Sequence, residues 1–372
     1  MKNDGVQTIP SKGRDIRFDI LKTIGLLCII LAHSNPPKII FQLRNFDVPL
    51  MAIVSGTLFY YSFRNKQYSF IDYLKKRIPR LVAPVWLFLT FFFSSSYLLY
   101  AIVGKNYPFS FRQILETFLL LEGIGYVWII RIFIIMAIIS PLILRLYKYL
   151  NSEIRFFSIL SLAYVCYEVI LHTTKNFQIS VNIINLFIEN YLLFIVPYGY
   201  LLGIGIILTQ TNRKLVVAIS LFFLMIFSNL ALYNFSIAGK IVETQMYKYP
   251  PRIYYLSYAI FISTIAYLVI DRIWTKHYTY LISKFSFLMK WIEFVSSSSL
   301  WIYLWHIYSL FLWDSIFQRF SPVTENFVLT FIIVTIISIA ITFLQKKLFT
   351  KIIANTRFGQ NNSEVITTLF LK

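Results

Sequence analysis

Charged residues and cysteine are scarce in this sequence. Only 14% of its 372 residues are charged, and 16 Asp and Glu stand against 35 Lys and Arg. The two cysteines, Cys28 and Cys166, both lie in apolar segments, so they indicate neither a disulfide framework nor a metal site. So low a charge content excludes an ordinary soluble globular domain.

Apolar residues take the place of the missing charges. The chain is 58% hydrophobic and 19% aromatic, with a mean hydropathy of +0.68, which is typical of an all-α, polytopic integral membrane protein. A net charge of +19 also suits a nucleic-acid binder, but in membrane proteins basic residues gather in cytoplasmic loops beside anionic lipid. We therefore expect the lipid bilayer as a partner, and no nucleic acid.

Runs of about 20 apolar residues predict about ten transmembrane helices. They lie at residues 18–34, 46–63, 81–103, 123–144, 156–172, 189–208, 215–233, 253–271, 296–317 and 326–345. No internal repeat is evident, which favours one transmembrane domain over residues 1–345, with a short basic segment at 1–17. Residues 346–372 are expected to form a cytoplasmic polar tail. Residues 272–295 are too polar to span and are expected along the cytoplasmic interface.

The distribution of basic residues predicts the orientation. With both termini in the cytoplasm, the cytoplasmic loops hold 24 Lys and Arg and the opposite loops hold 9. This asymmetry follows the positive-inside rule, so both termini are expected to be cytoplasmic.

The first predicted helix carries three ionisable residues on one face. At about 100° per residue, the eleven-residue step from Lys22 to His33 leaves their side chains within roughly 20° of each other. Asp19 falls on the same stripe. Ionisable groups inside a bilayer are costly and usually face a bundle interior or a wet cavity, so we expect this face to be functional.

The second predicted helix opens with Asp47 and contains Ser55-Gly56. A carboxylate at Asp47 lies near the end of the first helix that carries His33, where it could orient the imidazole. Equally, Asp47 could cap its own helix ahead of Pro49. Ser55-Gly56 taken alone indicates close helix packing.

A basic cluster follows at the start of the third predicted span. Its members are Lys75, Lys76, Arg77 and Arg80. Guanidinium and ammonium groups pair with phosphate oxygens, so the cluster suits the phosphates of a coenzyme. Ordinary positive-inside anchoring explains it equally well and is the more common case.

Two further residues lie well inside predicted spans. Arg131, three residues after Trp128, is too far from the predicted start of its helix at residue 123 to reach water, so we expect it to face a cavity. His306 lies near the middle of a span and is flanked by aromatics; such a histidine is more often a core residue than a functional one.

Taken together, these motifs resemble membrane acyltransferase family 3, especially the branch of bacterial capsule and exopolysaccharide gene clusters. The likeness runs from about residue 16 to about residue 345. Its specific part is a basic residue, ten residues and a histidine, here Lys22 and His33. The supporting parts, in chain order, are Asp19, Pro49 with Ser55-Gly56, Lys76-Arg77-Ile-Pro-Arg80-Leu with Pro84, Trp128 with Arg131, and Ser299-Leu-Trp-Ile-Tyr-Leu-Trp-His306.

The resemblance implies a ten-helix O-acetyltransferase of the bacterial cytoplasmic membrane. Such enzymes transfer an acyl group, typically acetyl from acetyl-CoA, to a hydroxyl of a cell-surface glycan. Many family members have Arg where this chain has Lys22, so bidentate contacts are absent here. Many also have His where it has Asp47, which leaves His33 as the candidate base at this end.

The expected site follows from these observations. His33, Lys22 and Asp19 are the candidate catalytic residues, with Asp19 paired to Lys22. The coenzyme site comprises Arg77, Arg80, Lys76 and Lys75, and the substrate-binding residues are Asp47, Ser55, Trp128, Arg131 and His306. Acetyl-CoA and a glycan acceptor are the expected partners, no metal is expected, and a homo-oligomer is left open.

Two other functions compete with this one. A transporter or flippase for a glycan or its lipid carrier would use the same charged residues as a relay, although the absence of repeats argues against it. A polysaccharide polymerase is less favoured because the longest predicted loop on the side opposite the termini has only about 19 residues.

Overall fold

The computed structural model describes residues 15–121, 123–173, 185, 187–317 and 326–371. Most of the predicted basic segment 1–17, and the greater part of the predicted loops at 173–188 and 318–325, therefore lie outside the described residues. Within the described part, the protein is 85% helical and contains no strand, which confirms the all-α fold class.

The helices are named here in chain order. They are α1 (Ile16–Ala32), α2 (Lys38–Leu43), α3 (Asp47–Phe63), α4 (Phe70–Val103), α5 (Phe111–Phe118), α6 (Trp128–Leu150), α7 (Glu153–Thr173), α8 (Leu193–Gln210), α9 (Arg213–Ala238), α10 (Ile253–Lys284), α11 (Ser286–Ser297), α12 (Ser299–Phe317) and α13 (Phe327–Asn355). Three short helical segments follow: Arg357–Asn361, Ser363–Ile366 and Thr367–Leu371.

A helix occupies each of the ten segments predicted to span. In the described residues, eight helical stretches are long and apolar enough to cross a membrane, and α1 and α12 are not among them. The structure thus establishes a helical protein with several candidate spans, while the count of ten stays a prediction.

Helix α4 begins eleven residues before the span predicted at 81–103. The Ser69 side chain accepts a hydrogen bond from the Asp72 amide and caps the helix, which continues through Pro79 and Pro84. The polar first turns lower the local hydropathy, so a search for apolar runs misses them. The basic cluster therefore lies on a helix.

The chain also stays helical between α10 and α12, where residues 272–295 are predicted to follow the interface. Helix α10 runs on to Lys284 with a kink at His277, and α11 occupies most of what remains.

Close backbone contact joins α3 to α8 at the centre of the bundle. A Cβ added to Gly56 would collide with the backbone of Leu202, and one added to Gly205 would collide with that of Ile53. Thr57 Oγ1 donates a hydrogen bond of 2.8 Å to the Gly205 carbonyl oxygen. Small residues permit such an approach. Because α8 also packs on α6, and α3 on α1, this contact fixes the helices that surround the site.

An ionic cluster near the start of α1 joins the starts of α1 and α9 to the interior of α10. Arg17 pairs with Asp15 (Nη2–Oδ2 2.6 Å) and with Asp271 of α10. Asp271 also pairs with Arg213 at the start of α9 (Oδ2–Nε 2.6 Å). We call this end of α1 the Arg17 end, and the opposite end the His33 end.

The segment after residue 345 packs back on the bundle. The Phe370 ring stacks on Phe349 and Trp301, with centroids 3.6 and 6.2 Å apart, and its carbonyl oxygen accepts a hydrogen bond of 3.0 Å from Gln345 Nε2. The segment predicted to be a polar tail is thus helical in the structure, and the domain boundary at 345 stays a prediction.

Candidate functional site

A cavity of about 700 Å³ opens between α1, α3, α4, α6 and α12. On α1 it is lined by Lys22, Leu26 and Ile29, whose spacing of four and three residues places them on one helix face. His33 continues the same face one turn beyond Ile29. Of the three residues on the predicted stripe, Lys22 lines the cavity, whereas Asp19 and His33 are not among the lining residues.

The opening of the cavity is basic. Lys76, Arg77 and Arg80 of α4 line it, and the side chains of Lys76 and Arg77 are exposed. Lys75, predicted to belong to the same cluster, is exposed but is not among the lining residues. We call this opening the mouth.

Aromatic side chains that sequence reasoning missed surround the mouth: Phe59, Phe63, Tyr68 and Tyr73. The rings of Phe59 and Tyr73 lie 5.5 Å apart, and those of Phe63 and Tyr68 lie 4.8 Å apart. In the sequence, this ring cluster is indicated by nothing more than its closeness to the basic residues. The rings come from α3, a loop and α4, so no spacing pattern relates them.

The deep end of the cavity is closed by buried residues that include Met51, Ile130 and Tyr303. Ser55, a predicted substrate-binding residue, also lines the cavity, and its hydroxyl donates a hydrogen bond of 2.7 Å to the Met51 carbonyl oxygen. Its oxygen remains able to accept a hydrogen bond from a ligand.

Two histidines lie together beyond the deep end. The rings of His33 and His306 are 5.5 Å apart, and Tyr126 lies 4.8 Å from His33. His306 is fully buried and its Nδ1 contacts the Tyr303 carbonyl oxygen. Because a carbonyl oxygen only accepts, Nδ1 carries the proton in the neutral ring. Nε2 is then a bare acceptor with no hydrogen-bond partner among the described residues.

Tyr303 connects the cavity to this histidine pair. It lines the deep end, and its ring is 4.8 Å from that of His306. Its hydroxyl donates a hydrogen bond of 2.5 Å to the Tyr126 carbonyl oxygen. The three-residue spacing between Tyr303 and His306, one helical turn, was a usable sequence signal that the predicted site did not include.

Asp19 lies on α1 three residues before Lys22. It is buried and accepts a hydrogen bond of 2.6 Å from Ser296 Oγ at the end of α11. This contact anchors α11 to α1. The predicted pairing of Asp19 with Lys22 stays a prediction.

Asp47 belongs to a buried ionic cluster at the His33 end. Its carboxylate pairs with Arg44 (2.7 Å) and Lys248 (3.7 Å) and accepts a hydrogen bond of 2.7 Å from the Val48 amide. Asn45 accepts a further hydrogen bond of 3.2 Å from Lys248 Nζ. None of the contacts described for Asp47 joins it to His33, and Phe46, not Asp47, occupies the N-cap position of α3. The contacts of Asp47 therefore establish neither predicted role, and its carboxylate instead pairs with two buried cations. Burial lowers the pKa of Lys248 to about 8.

Trp128 and Arg131 lie beside this cluster and are not among the lining residues of the cavity. The ammonium of Lys248 is 5.4 Å from the centroid of the Trp128 ring. Arg131 is buried, donates a hydrogen bond of 3.3 Å to the Leu120 carbonyl oxygen and lies over the Tyr191 ring. Since α6 begins at Trp128 and not at residue 123, Arg131 lies in the first turn of its helix.

The long apolar helices of the described residues indicate a multi-pass membrane protein, and a cavity with a basic mouth opens within the bundle. The model of the acyltransferase 3 family, described as an acyltransferase domain, matches residues 15–345. The chain belongs to membrane acyltransferase family 3, and it is a membrane acyltransferase. No curated protein and no solved structure matches it.

Proposed function

We propose that the protein is an O-acetyltransferase that moves an acetyl group from acetyl-CoA to a hydroxyl of a cell-surface or exported polysaccharide. One observation carries this proposal: a single cavity joins a cationic, aromatic mouth to the neighbourhood of two histidines. A nucleotide thioester has matching parts, namely phosphates, an adenine ring and a long narrow arm that ends in the acyl group.

The mouth suits the nucleotide half of the donor. Lys76, Arg77 and Arg80 offer charge-assisted hydrogen bonds to phosphate oxygens, and the surrounding aromatic rings offer a stacking surface for adenine. The apolar walls farther in suit the pantetheine arm, because a mostly apolar pocket with few polar groups is the usual form of a small-molecule site.

In this proposal, Lys22 binds the donor and His33 takes part in the acyl transfer. Eleven residues of α1 separate them by roughly 16 Å, which is too far for both to act on one carbonyl. Lys22 lines the cavity and is placed to contact a coenzyme phosphate or the arm. This role differs from the catalytic one expected for Lys22 from the sequence.

His33 acts as the general base in this proposal. It takes the proton of the acceptor hydroxyl while the hydroxyl oxygen attacks the thioester carbonyl, and the carbon–sulfur bond breaks. The same proton then goes to the thiolate of coenzyme A. Transfer of the acetyl group first to His33 and then to the hydroxyl gives the same net reaction. The neighbouring His306 Nε2 accepts a hydrogen bond from whichever group reaches it.

The proposed orientation places the mouth in the cytoplasm of a bacterium, where acetyl-CoA is made. Ten spans with both termini inside agree with the distribution of Lys and Arg. His33 then lies in the opposite half of the membrane, where an exported glycan can approach it.

Purified protein in liposomes tests the proposal. Labelled acetyl-CoA and a polysaccharide acceptor are supplied, and acetylated glycan is measured by mass spectrometry. Formation of the ester supports the acetyltransferase. Glycan that crosses the liposome membrane without being acetylated would instead indicate the transporter or flippase.

A further inference from the structure

A second cavity, of about 310 Å³, lies between α4 and α12. We call it the Phe311 groove. Its lining residues are Leu99, Tyr100, Val103, Lys105, Pro108, Phe109, Phe311, Asp314 and Ser315. On α4, Tyr100 is 23 residues beyond Arg77, or roughly 35 Å along the helix, so the groove lies at the end of α4 opposite the mouth.

Aromatic rings form the floor of the groove. The Phe311 ring lies 6.0 Å from Phe109 and 6.2 Å from Tyr100, and all three side chains are half-buried. Polar groups lie at the edge: Lys105 and Asp314 are exposed and Ser315 is half-buried. An apolar floor with a few polar groups at its rim is the usual form of a small-molecule site.

The groove shares helix α12 with His306. Asp314 is eight residues beyond His306 on α12, or roughly 12 Å along the helix. The His306 ring lies 5.5 Å from that of His33. A molecule held beside Asp314 therefore lies roughly 12 Å along α12 from the histidine pair.

We infer that the Phe311 groove binds a sugar ring of the acceptor and presents a hydroxyl of that ring, or of its neighbour in the glycan, to His33. The inference rests on the proposed function. A sugar has apolar C–H faces that stack on aromatic rings, and hydroxyls that donate to a carboxylate and accept from an ammonium, so its chemistry matches both parts of the groove. Lys105 and Asp314 have opposite charges, which favours an uncharged sugar over an acidic one.

The test uses the full-length protein in detergent and in liposomes, with an array of defined neutral oligosaccharides as the probe. Phe311→Ala and Asp314→Asn should each weaken oligosaccharide binding about fivefold to tenfold, whereas Phe311→Trp should retain it. Phe235→Ala is the matched control, because Phe235 is an exposed phenylalanine on α9 that lines neither cavity.

Hydrolysis of acetyl-CoA without acceptor is measured on the same preparations, and its rate should be the same in all variants. Unchanged oligosaccharide binding in both groove variants, or no binding to the parent protein, would overturn the inference while leaving the proposed function standing if the parent still transfers acetyl. Failure of the parent to use acetyl-CoA at all would count against the proposed function, and not against sugar binding in the groove.

Discussion

His33 and His306 come from helices that are more than 250 positions apart in the sequence, yet their rings are neighbours. His33 closes α1: its amide donates to the Ile30 carbonyl oxygen, and the amide of the next residue, Ser34, donates to the Leu31 carbonyl oxygen. The imidazole is therefore held at the helix end while His306 is enclosed in α12. His33 is half-buried, whereas His306 is fully buried.

Replacement of His33 by glutamine tests the general base directly. Glutamine retains hydrogen bonding but takes up no proton, so turnover should fall by at least about 10²-fold, within the range of 10²–10⁴ for general-base catalysis. Acetylated glycan formed per unit time is the measurement. His172→Gln is the control, because His172 is an exposed residue in the last turn of α7. Activity of His33→Gln within a few-fold of the parent would remove His33 from the mechanism.

Lys248 should make stability depend on pH. Its pKa is lowered by burial from an ordinary value of 10.5 to about 8, so between these values the unfolded chain binds a proton that the folded protein has released. Stability contributed by this residue therefore rises with pH across that window. Between about pH 8 and about pH 10, the melting temperature of the parent should rise relative to that of Lys248→Met. If the melting temperatures of the parent and of Lys248→Met change in parallel over that range, burial does not lower the pKa of Lys248.

At the scale of single elements, α4 lines both cavities. Its first turns carry the cations of the mouth, and its last turns form one wall of the Phe311 groove. Because one continuous helix lines both cavities, their separation is fixed by the helix rise.

The two faces of α4 allow a matched comparison of the basic residues. Arg77 lines the cavity and Lys75 does not, although both are exposed and only two residues apart. A charge-assisted contact to phosphate contributes about 1.5–3 kcal/mol, so Arg77→Ala should raise the KM for acetyl-CoA by about tenfold or more. Lys75→Ala should leave it nearly unchanged. Equal effects of the two substitutions on KM would show that the basic cluster serves only to orient the protein in the membrane.

Much of this element structure was predictable, because apolar runs and helical periodicity are local properties. The runs marked all ten segments, and periodicity placed Lys22 and His33 on one face. What the sequence could not supply was contact between elements. The pairing of Asp47 with Lys248 joins residues 201 positions apart, and the aromatic mouth is assembled from three separate stretches of chain. No spacing rule relates such residues.

At the scale of the whole molecule, the orientation of the protein in the membrane decides whether the mouth faces the cytoplasm. Cysteine labelling decides it, after Cys28 and Cys166 are replaced by alanine. Lys240→Cys and Lys351→Cys introduce thiols at exposed positions, one in a loop predicted to be outside and one predicted to be inside. In intact cells, a membrane-impermeant maleimide should label position 240 at once, and position 351 only after permeabilisation. The reverse pattern would place the mouth outside and exclude acetyl-CoA as its ligand.

Lys22, Leu26 and Ile29 line the cavity along one face of α1, and His33 lies one turn farther along that face. In the proposed reaction, this spacing sets the length that the acyl donor must have. A donor held by its phosphates at the mouth delivers its carbonyl to the histidine only if its arm covers roughly 16 Å of helix. Thioesters on a truncated arm would therefore occupy the same anionic site and stop short of the reaction. The length of the donor's arm must match the spacing between Lys22 and His33. The protein would then select its donor by length, without any contact with the acyl group itself.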